Sequence, residues 1–328
     1  MALNELLARV DTLRDQVDAL RPLDRDQEAR LVQKLNLEWN YHSNAIEGNT
    51  LTLGETRAFL LYGITAQGKP FRDYLDIKGH NEAIRYLEDL VRGGEVLTEA
   101  LIRELHRILL VEAYDVDAIT PDGRPARRRI AIGRYKTAPN HVRTTTGETR
   151  FYATPQETPA LMGELMAWYR REAEMNELHP LVLAATFHYR FVAIHPFDDG
   201  NGRMARLLTN LILMQHGFVP VVIPLEARSD YLLALEKADA GDLADFVELM
   251  GRELIRSLAL TLAAARGEPL EESGGLDRRI QRLREELAAY EGPSHEGPSH
   301  GGPSHGGPSH GGLSDPGRSA SASTGSHP

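Results

Sequence analysis

Apolar residues return every three or four positions from the start of the chain. Leu3, Leu6, Leu7, Val10, Leu13, Val17 and Leu20 form one stripe, the spacing of an amphipathic helix. A second helical pattern runs through "DQEARLVQKLNLEWNYHSNAIEG", and Gly48 at its end suits the left-handed position that stops helices. The same periodicity predicts helices over Leu51–Tyr62, Tyr74–Arg92 and Thr98–Leu110. Glycine and proline in "TPDGRP" break the chain near Thr120. The period then shortens. "RRIAIGRY" and "TRFYATP" read as short strands with "TTTGET" as their turn, one β-hairpin over Arg128–Tyr152. Helical spacing resumes over Thr158–Asn176, Pro180–Ile194, Gly202–His216, Arg228–Ala240 and Leu243–Arg266. The expectation is an all-α fold, a helical bundle carrying one β-hairpin.

Beyond residue 267 the picture changes. "LDRRIQRLREELAAYE" predicts a charged helix within 268–290. From 291 to 328 a five-residue repeat, "EGPSH EGPSH GGPSH", gives way to "PGRSASASTGSHP". Glycine, proline and serine dominate there and nothing apolar is left to bury, so a disordered C-terminal tail is expected. Its spaced His295, His300, His305 and His310 read as a solvated repeat, with weak metal binding as the rival.

Charge and composition narrow the function classes. The formal net charge of −10 leaves no electrostatic footprint for wholesale nucleic-acid binding. One basic cluster, Gly123 to Lys136, reads as solvated arginines, with a patch facing a nucleotide or acidic partner as the alternative. The chain has no cysteine, which excludes disulfides and thiolate zinc sites. The N-terminal residues alternate charge with leucine and lack the pattern of a signal peptide. No apolar run approaches membrane-spanning length. A cytoplasmic location and no membrane contact are the expectation.

The densest chemistry is "HPFDDGNGRMAR", His195 to Arg206. It lies between the apolar "LVLAATFHYRFVAI" and a helical repeat of Met204, Leu207, Leu208, Leu211 and Met214, so it is a tight loop that opens a helix. Asn201 is expected to cap that helix, and Gly200 and Gly202 let a ligand approach the backbone. The first turn of such a helix presents unpaired N–H groups and the positive end of the dipole, an anion site. Arg203 and Arg206 share a helix face although the dipole disfavours them there, which points to an anion that holds them. Guanidinium forks match phosphate oxygens, so two of them suit a di- or triphosphate. Asp199 would repel phosphate but suits a Mg²⁺ that bridges phosphate oxygens. His195, with an ordinary pKa of about 6.5, suits a general base.

The stretch matches the Fic family signature, His-Pro-Phe-x-(Asp/Glu)-Gly-Asn-Gly-Arg-x-x-Arg, at every defined position. The resemblance extends from about Glu38 to Arg266. It implies a Fic-fold bundle with a flap, and transfer of AMP from ATP to a Tyr, Thr or Ser hydroxyl of a target protein. It further implies His195 as the base, Asp199 as the Mg²⁺ ligand, and Gly200, Asn201 and Gly202 as the lining of the anion pocket. Arg203 would grip the β-phosphate side and Arg206 the γ-phosphate, while Phe197 anchors the loop. Upstream, "SNAIEGNT" resembles the family's inhibitory helix, (Ser/Thr)-x-x-x-Glu-(Gly/Asn). Ser43 and Glu47 lie four apart on one helical face, and the resemblance implies that Glu47 pairs with Arg206 and occludes the γ-phosphate site.

The organisation expected is an N-terminal helical region over 1–90 with the inhibitory helix, and a catalytic core over 91–267. The hairpin at Arg128–Tyr152 resembles the family's flap, where a target backbone adds as a strand. Tyr135 and Lys136 fall there as candidate nucleotide or target contacts. "DYLLALEKADAGD" resembles the wall of the adenosine pocket, with Tyr231-Leu232 and Asp239 where relatives carry Tyr-Tyr and Asn. Automodification and a homodimer are further expectations, and no winged-helix DNA-binding domain is evident after the core. Three rival functions stay open: a de-AMPylating hydrolase that uses Glu47, transfer of a different phosphate-containing group, and a nucleotide-binding regulatory module without transfer.

Overall fold

The computed structural model describes residues 2–119, 124–143, 149–268 and 270. Among them the chain runs α1 (Leu3–Asp18), α2 (Arg25–Ile46), α3 (Leu53–Tyr62), α4 (Phe71–Gly93) and α5 (Glu99–Leu110). Strands β1 (Asp115–Ile119), β2 (Pro125–Arg129), β3 (His141–Arg143) and β4 (Thr149–Phe151) follow. Then come α6 (Thr158–Met175), α7 (Pro180–Ile194), α8 (Asn201–Gln215), α9 (Arg228–Asp239) and α10 (Ala244–Ala265). The helices predicted from periodicity up to Arg266 are therefore present. Several start on a side-chain cap. Asp24 accepts from the backbone of Asp26 and Gln27, Thr98 accepts from Leu101 N, and Thr52 forms a reciprocal capping box with Glu55. Gly48, at φ 97°, follows the end of α2 as expected.

One large core joins elements from both ends of the chain. Val10 and Leu13 of α1 and Trp39 of α2 are buried in the same cluster as Phe187, Leu208 and Leu254. Helix α1 lies on α10, α7 on α8, and α4 on α5. Helix α8 is buried along nearly its whole length, including Asn201, Arg203 and Arg206 in its first turns. A helix apolar on all sides belongs in a core. Here the polar first turns are buried as well, so their charges require partners from neighbouring helices. Helices α2 and α4, both packed against α8, supply them.

The β-structure departs from the expectation of a single hairpin. Strand β2 pairs antiparallel with the earlier β1, Asp115 opposite Arg129, while β3 pairs with β4, His141 opposite Phe151. The break predicted near Thr120 thus falls between two paired strands. The chain after Arg129 does not continue as a free strand because its apolar residues turn inward. Ile130 is buried and its N–H donates to Tyr114 O at 2.8 Å. Gly133, at φ 64°, then redirects the backbone towards the His195 loop. The helix expected within 268–290 and the tail over 291–328 lie outside the described residues, apart from Glu268 and Leu270. No helix among the described residues is long and apolar enough to cross a membrane.

Helix α4 approaches α5 through Gly79, where any Cβ would collide with the carbonyl oxygen of Leu109 and with Val111. Gly79→Ala should therefore cost roughly 1–3 kcal/mol, read as a lowered midpoint in chemical denaturation.

Candidate functional site

The loop between α7 and α8 is shaped by two left-handed residues. His195 ends α7 at φ 52°, ψ 60°, and Gly200 opens α8 at φ 78°. Glycine adopts that region freely, whereas histidine does so at a cost of roughly 1–2 kcal/mol. The loop holds His195 there through its own carbonyl, which accepts from Lys136 Nζ at 2.8 Å. Asn201 does not cap α8, as had been expected; Gly200 occupies that position. The Asn201 amide instead closes the loop on itself: Oδ1 accepts from Phe197 N at 2.9 Å and Nδ2 donates to Phe197 O at 2.8 Å. Asn140 Nδ2 donates to the same carbonyl at 2.8 Å. Phe197 is fully buried and stacks on His106 with centroids 3.8 Å apart, which anchors the loop in the core.

The two arginines of α8 point to different partners. Arg206 Nη2 donates to Glu47 Oε1 at 2.7 Å and to Ser43 O at 2.8 Å, and its Nε donates to Ser43 Oγ at 3.0 Å. The end of helix α2 thus brings Ser43 and Glu47, which their spacing put on one face, to this guanidinium, the partner that the resemblance implied for Glu47. Glu47 also seats against the backbone of Gly202, where a Cβ would meet its carboxylate oxygen. It lies at the N-terminus of α8, where the dipole and unpaired N–H groups favour an anion. Arg203 Nη1 pairs with Asp76 of α4 at 2.8 Å, and its Nη2 with Asp199 at 3.2 Å. Burial works against the charge of both arginines, but Asp76 and Asp199 around Arg203, and Glu47 and Tyr231 beside Arg206, outweigh it and raise both pKa values.

Asp199 accepts from Arg203 and from the Tyr114 hydroxyl. Burial opposes its charge, yet Arg203 and the Tyr114 hydrogen bond hold its carboxyl below the usual range. An ionised single carboxylate at the mouth of an anion site suits Mg²⁺, which takes one or two carboxylates alongside phosphate oxygens. No cluster of three or more His, Asp or Glu that could hold a metal occurs among the described residues. Tyr114 and Asp76 have no motif of their own and were not expected at the site; only packing of α4 and of the segment after α5 brings them in.

The flap residues sit elsewhere than expected. Lys136 is 2% exposed and lies under the loop, its ammonium donating to the carbonyls of Ile194 and His195 and to Asn140 Oδ1. Burial first, and Arg128 second, lower its pKa to about 8. Tyr135 turns its hydroxyl to Glu99 at 2.7 Å and its ring to Phe197. The expectation that these two contact nucleotide or target is thus corrected: their polar atoms are engaged by the protein, because the chain after Gly133 folds under the loop. The flap residue that does reach the motif is Tyr152, whose ring stacks on His195 with centroids 4.0 Å apart. Within the basic cluster, Arg128 pairs with the buried Asp198 of the motif, while Arg127 and Arg129 are exposed.

Two predictions arise from these supports. Lys136→Met keeps the volume but leaves three buried acceptors short of a donor, and should cost about 1–3 kcal/mol in urea unfolding. His106 accepts from Gly133 N–H at Nδ1 and faces Asp199 O through Nε2, and burial lowers its pKa to about 4. His188, wholly buried, is lowered to about 3 for the same reason. Both are neutral when folded but take up a proton when unfolded below about pH 6.5. Their contribution is complete above that pH and is lost as pH falls towards 4 and 3. Unfolding midpoints should drop between pH 6.5 and 5, by up to about 1.4 kcal/mol per pH unit for each histidine.

Comparison with known proteins places this geometry. A family model described as Fic/DOC family matches residues 96–213. The solved structure of a Fic domain containing signaling protein from Bacteroides thetaiotaomicron is 40% identical, with a TM-score of 0.73, over 81% of this chain and 100% of that one. Protein adenylyltransferase Fic of Nematostella vectensis is 34% identical over 81% of this chain and 58% of its own length. Protein adenylyltransferase fic-1 of Caenorhabditis elegans is 32% identical over 79% of this chain and 47% of its own length. The chain spans about half the length of the curated relatives it matches.

Proposed function

The chain belongs to the Fic/DOC family, and on that premise we propose that it is a protein adenylyltransferase held off by its own Glu47. The relatives named as protein adenylyltransferases support the reaction class. The observation that carries the reading is the seat of the Glu47 carboxylate, on Arg206 and against Gly202 at the N-terminus of α8. An anion site built for phosphate is occupied there by an internal anion.

In this reading ATP lays its phosphates over Gly200, Asn201 and Gly202. Arg203 grips the β-phosphate side and Arg206 the γ-phosphate once Glu47 withdraws. Asp199 would hold Mg²⁺, which when bound would neutralise phosphate charge. His195, braced by Tyr152, takes the proton of a Tyr, Thr or Ser hydroxyl. The oxygen then bonds to the α-phosphorus, the bond to the bridging oxygen breaks, and pyrophosphate leaves with its charge on the arginines. The target is a protein segment that adds along the β3–β4 hairpin as an extra strand, next to the 71% exposed Phe151.

The test is intact mass after incubation with ATP. Wild type should carry little adduct and Glu47→Gly at least one AMP, while Glu47→Gly with His195→Ala should lose roughly 10²–10⁴ of the rate. No adduct on folded Glu47→Gly, with or without an added protein target, would sink the transferase reading. Release of AMP from premodified protein by wild type alone would replace it with the hydrolase.

A further inference from the structure

A buried chain of polar side chains leads to Arg206. His188 of α7 is wholly buried, with Nδ1 2.9 Å from Thr209 Oγ1 and Nε2 2.9 Å from the Tyr231 hydroxyl. Tyr231 of α9 is also buried, and its oxygen lies 3.5 Å from Arg206 Nη1. Ser43 and Glu47 engage Nε and Nη2 of the same guanidinium, so Tyr231 serves the third nitrogen.

The proton positions along this chain can be worked out in order. A threonine hydroxyl has one hydrogen to give, and Thr209 donates it to Ala205 O at 2.8 Å. Thr209 therefore accepts at His188, which must carry its proton on Nδ1. A neutral imidazole protonated on Nδ1 accepts at Nε2. The Tyr231 hydroxyl must then donate to His188, and its lone pairs are left to face Arg206. Burial, which keeps His188 neutral, agrees with this order. The opposite tautomer would turn the Tyr231 proton towards a guanidinium that has only donors.

We propose that Thr209 and His188 set the direction of the Tyr231 hydroxyl, and that Tyr231 thereby holds Arg206 in its phosphate-gripping position when Glu47 is withdrawn. The proposal rests on the reading of Arg206 as the γ-phosphate ligand. Thr209, His188 and Tyr231 are positioning residues, since they act through Arg206. The physical reason for such a support is the departure of Glu47. When the carboxylate leaves, Ser43 still holds Nε and Nη2, and Tyr231 is the acceptor that fixes Nη1; an acceptor with a fixed lone pair is ready without reorganisation.

The test uses the full chain carrying Glu47→Gly and His195→Ala, so that nucleotide binds but is not consumed, with ATP and ADP titrated by calorimetry in the presence of Mg²⁺. Tyr231→Phe, which keeps the ring, should weaken ATP about tenfold and leave ADP unchanged, since a single hydrogen bond to a charged group is of that size. Thr209→Val, which matches threonine in shape but cannot accept, should reproduce the loss, and Thr209→Ser should restore binding. Nitrogen NMR of His188 should show the proton on Nδ1 in the parent and in Thr209→Ser, and its displacement in Thr209→Val. Equal weakening of ATP and ADP would mean a merely structural role and overturn the proposal, as would ATP binding by Thr209→Val at the parent's strength. Arg206→Ala separates the two levels. If it keeps the parent's preference for ATP over ADP, the phosphate grip fails and the relay with it. If it loses that preference while Tyr231→Phe keeps it, the relay alone is overturned.

Discussion

The structure turns on one buried guanidinium. Arg206 is 4% exposed, and a charge at that depth is tolerable only with partners. Its partners come from two places far apart in sequence: Ser43 and Glu47 at the end of α2, and Tyr231 on α9. The demand of one charge thus ties α2 and α9 to the first turns of α8, where the candidate anion site lies. The pair is lopsided. The Glu47 side chain is 39% exposed while that of Arg206 is 5% exposed. The carboxylate can therefore be exchanged for another anion at small desolvation cost, whereas the arginine must remain paired. That asymmetry suits a site blocked from within.

Arg203 answers the same demand differently. Its acidic partners, Asp76 and Asp199, lie on α4 and on the loop, so its charge is compensated without Glu47. Two arginines three residues apart on one helix thereby take different partners, Arg203 two aspartates and Arg206 one glutamate. Behind them the loop keeps an unfavourable His195 conformation through bonds to its carbonyl from Lys136 and through the Asn201 and Asn140 contacts to Phe197. Local strain at His195 is held by residues bonded to the loop's own carbonyls.

Much of this was legible in the chain. Helices followed from apolar spacing because burial of a stripe dominates helix stability in a protein. The motif residues were legible because base, glycine turn and arginine forks sit within twelve positions, so local geometry alone converges them. The first strand of the hairpin was misread because strand pairing is a long-range choice, whereas "TRFYATP" does enter a hairpin as β4. The run "RRIAIGRY" carries strand propensity, but Ile130 is drawn to Tyr114 and Gly133 bends the chain under the loop. Asn201 was misread for a similar reason. Its position suits a cap, yet Gly200 had the backbone freedom to take that place, leaving the amide to close the loop. Lys136 gave a basic signal that burial converted into a support.

Sequence by itself determined the helical class, the family and the residue types at the anion site, since each depends on spacing within one element or one loop. It also paired Ser43 with Glu47, four apart on a helix. The resemblance carried by the motifs further paired Glu47 with Arg206, but only the tertiary structure decided the other partners: Asp76 for Arg203, Tyr114 for Asp199, and Lys136 for the carbonyls of the loop. Those choices belong to desolvation. Once packing removes water from a charged or polar group, it must be satisfied by whatever lies beside it in space, and position along the chain no longer says what that is.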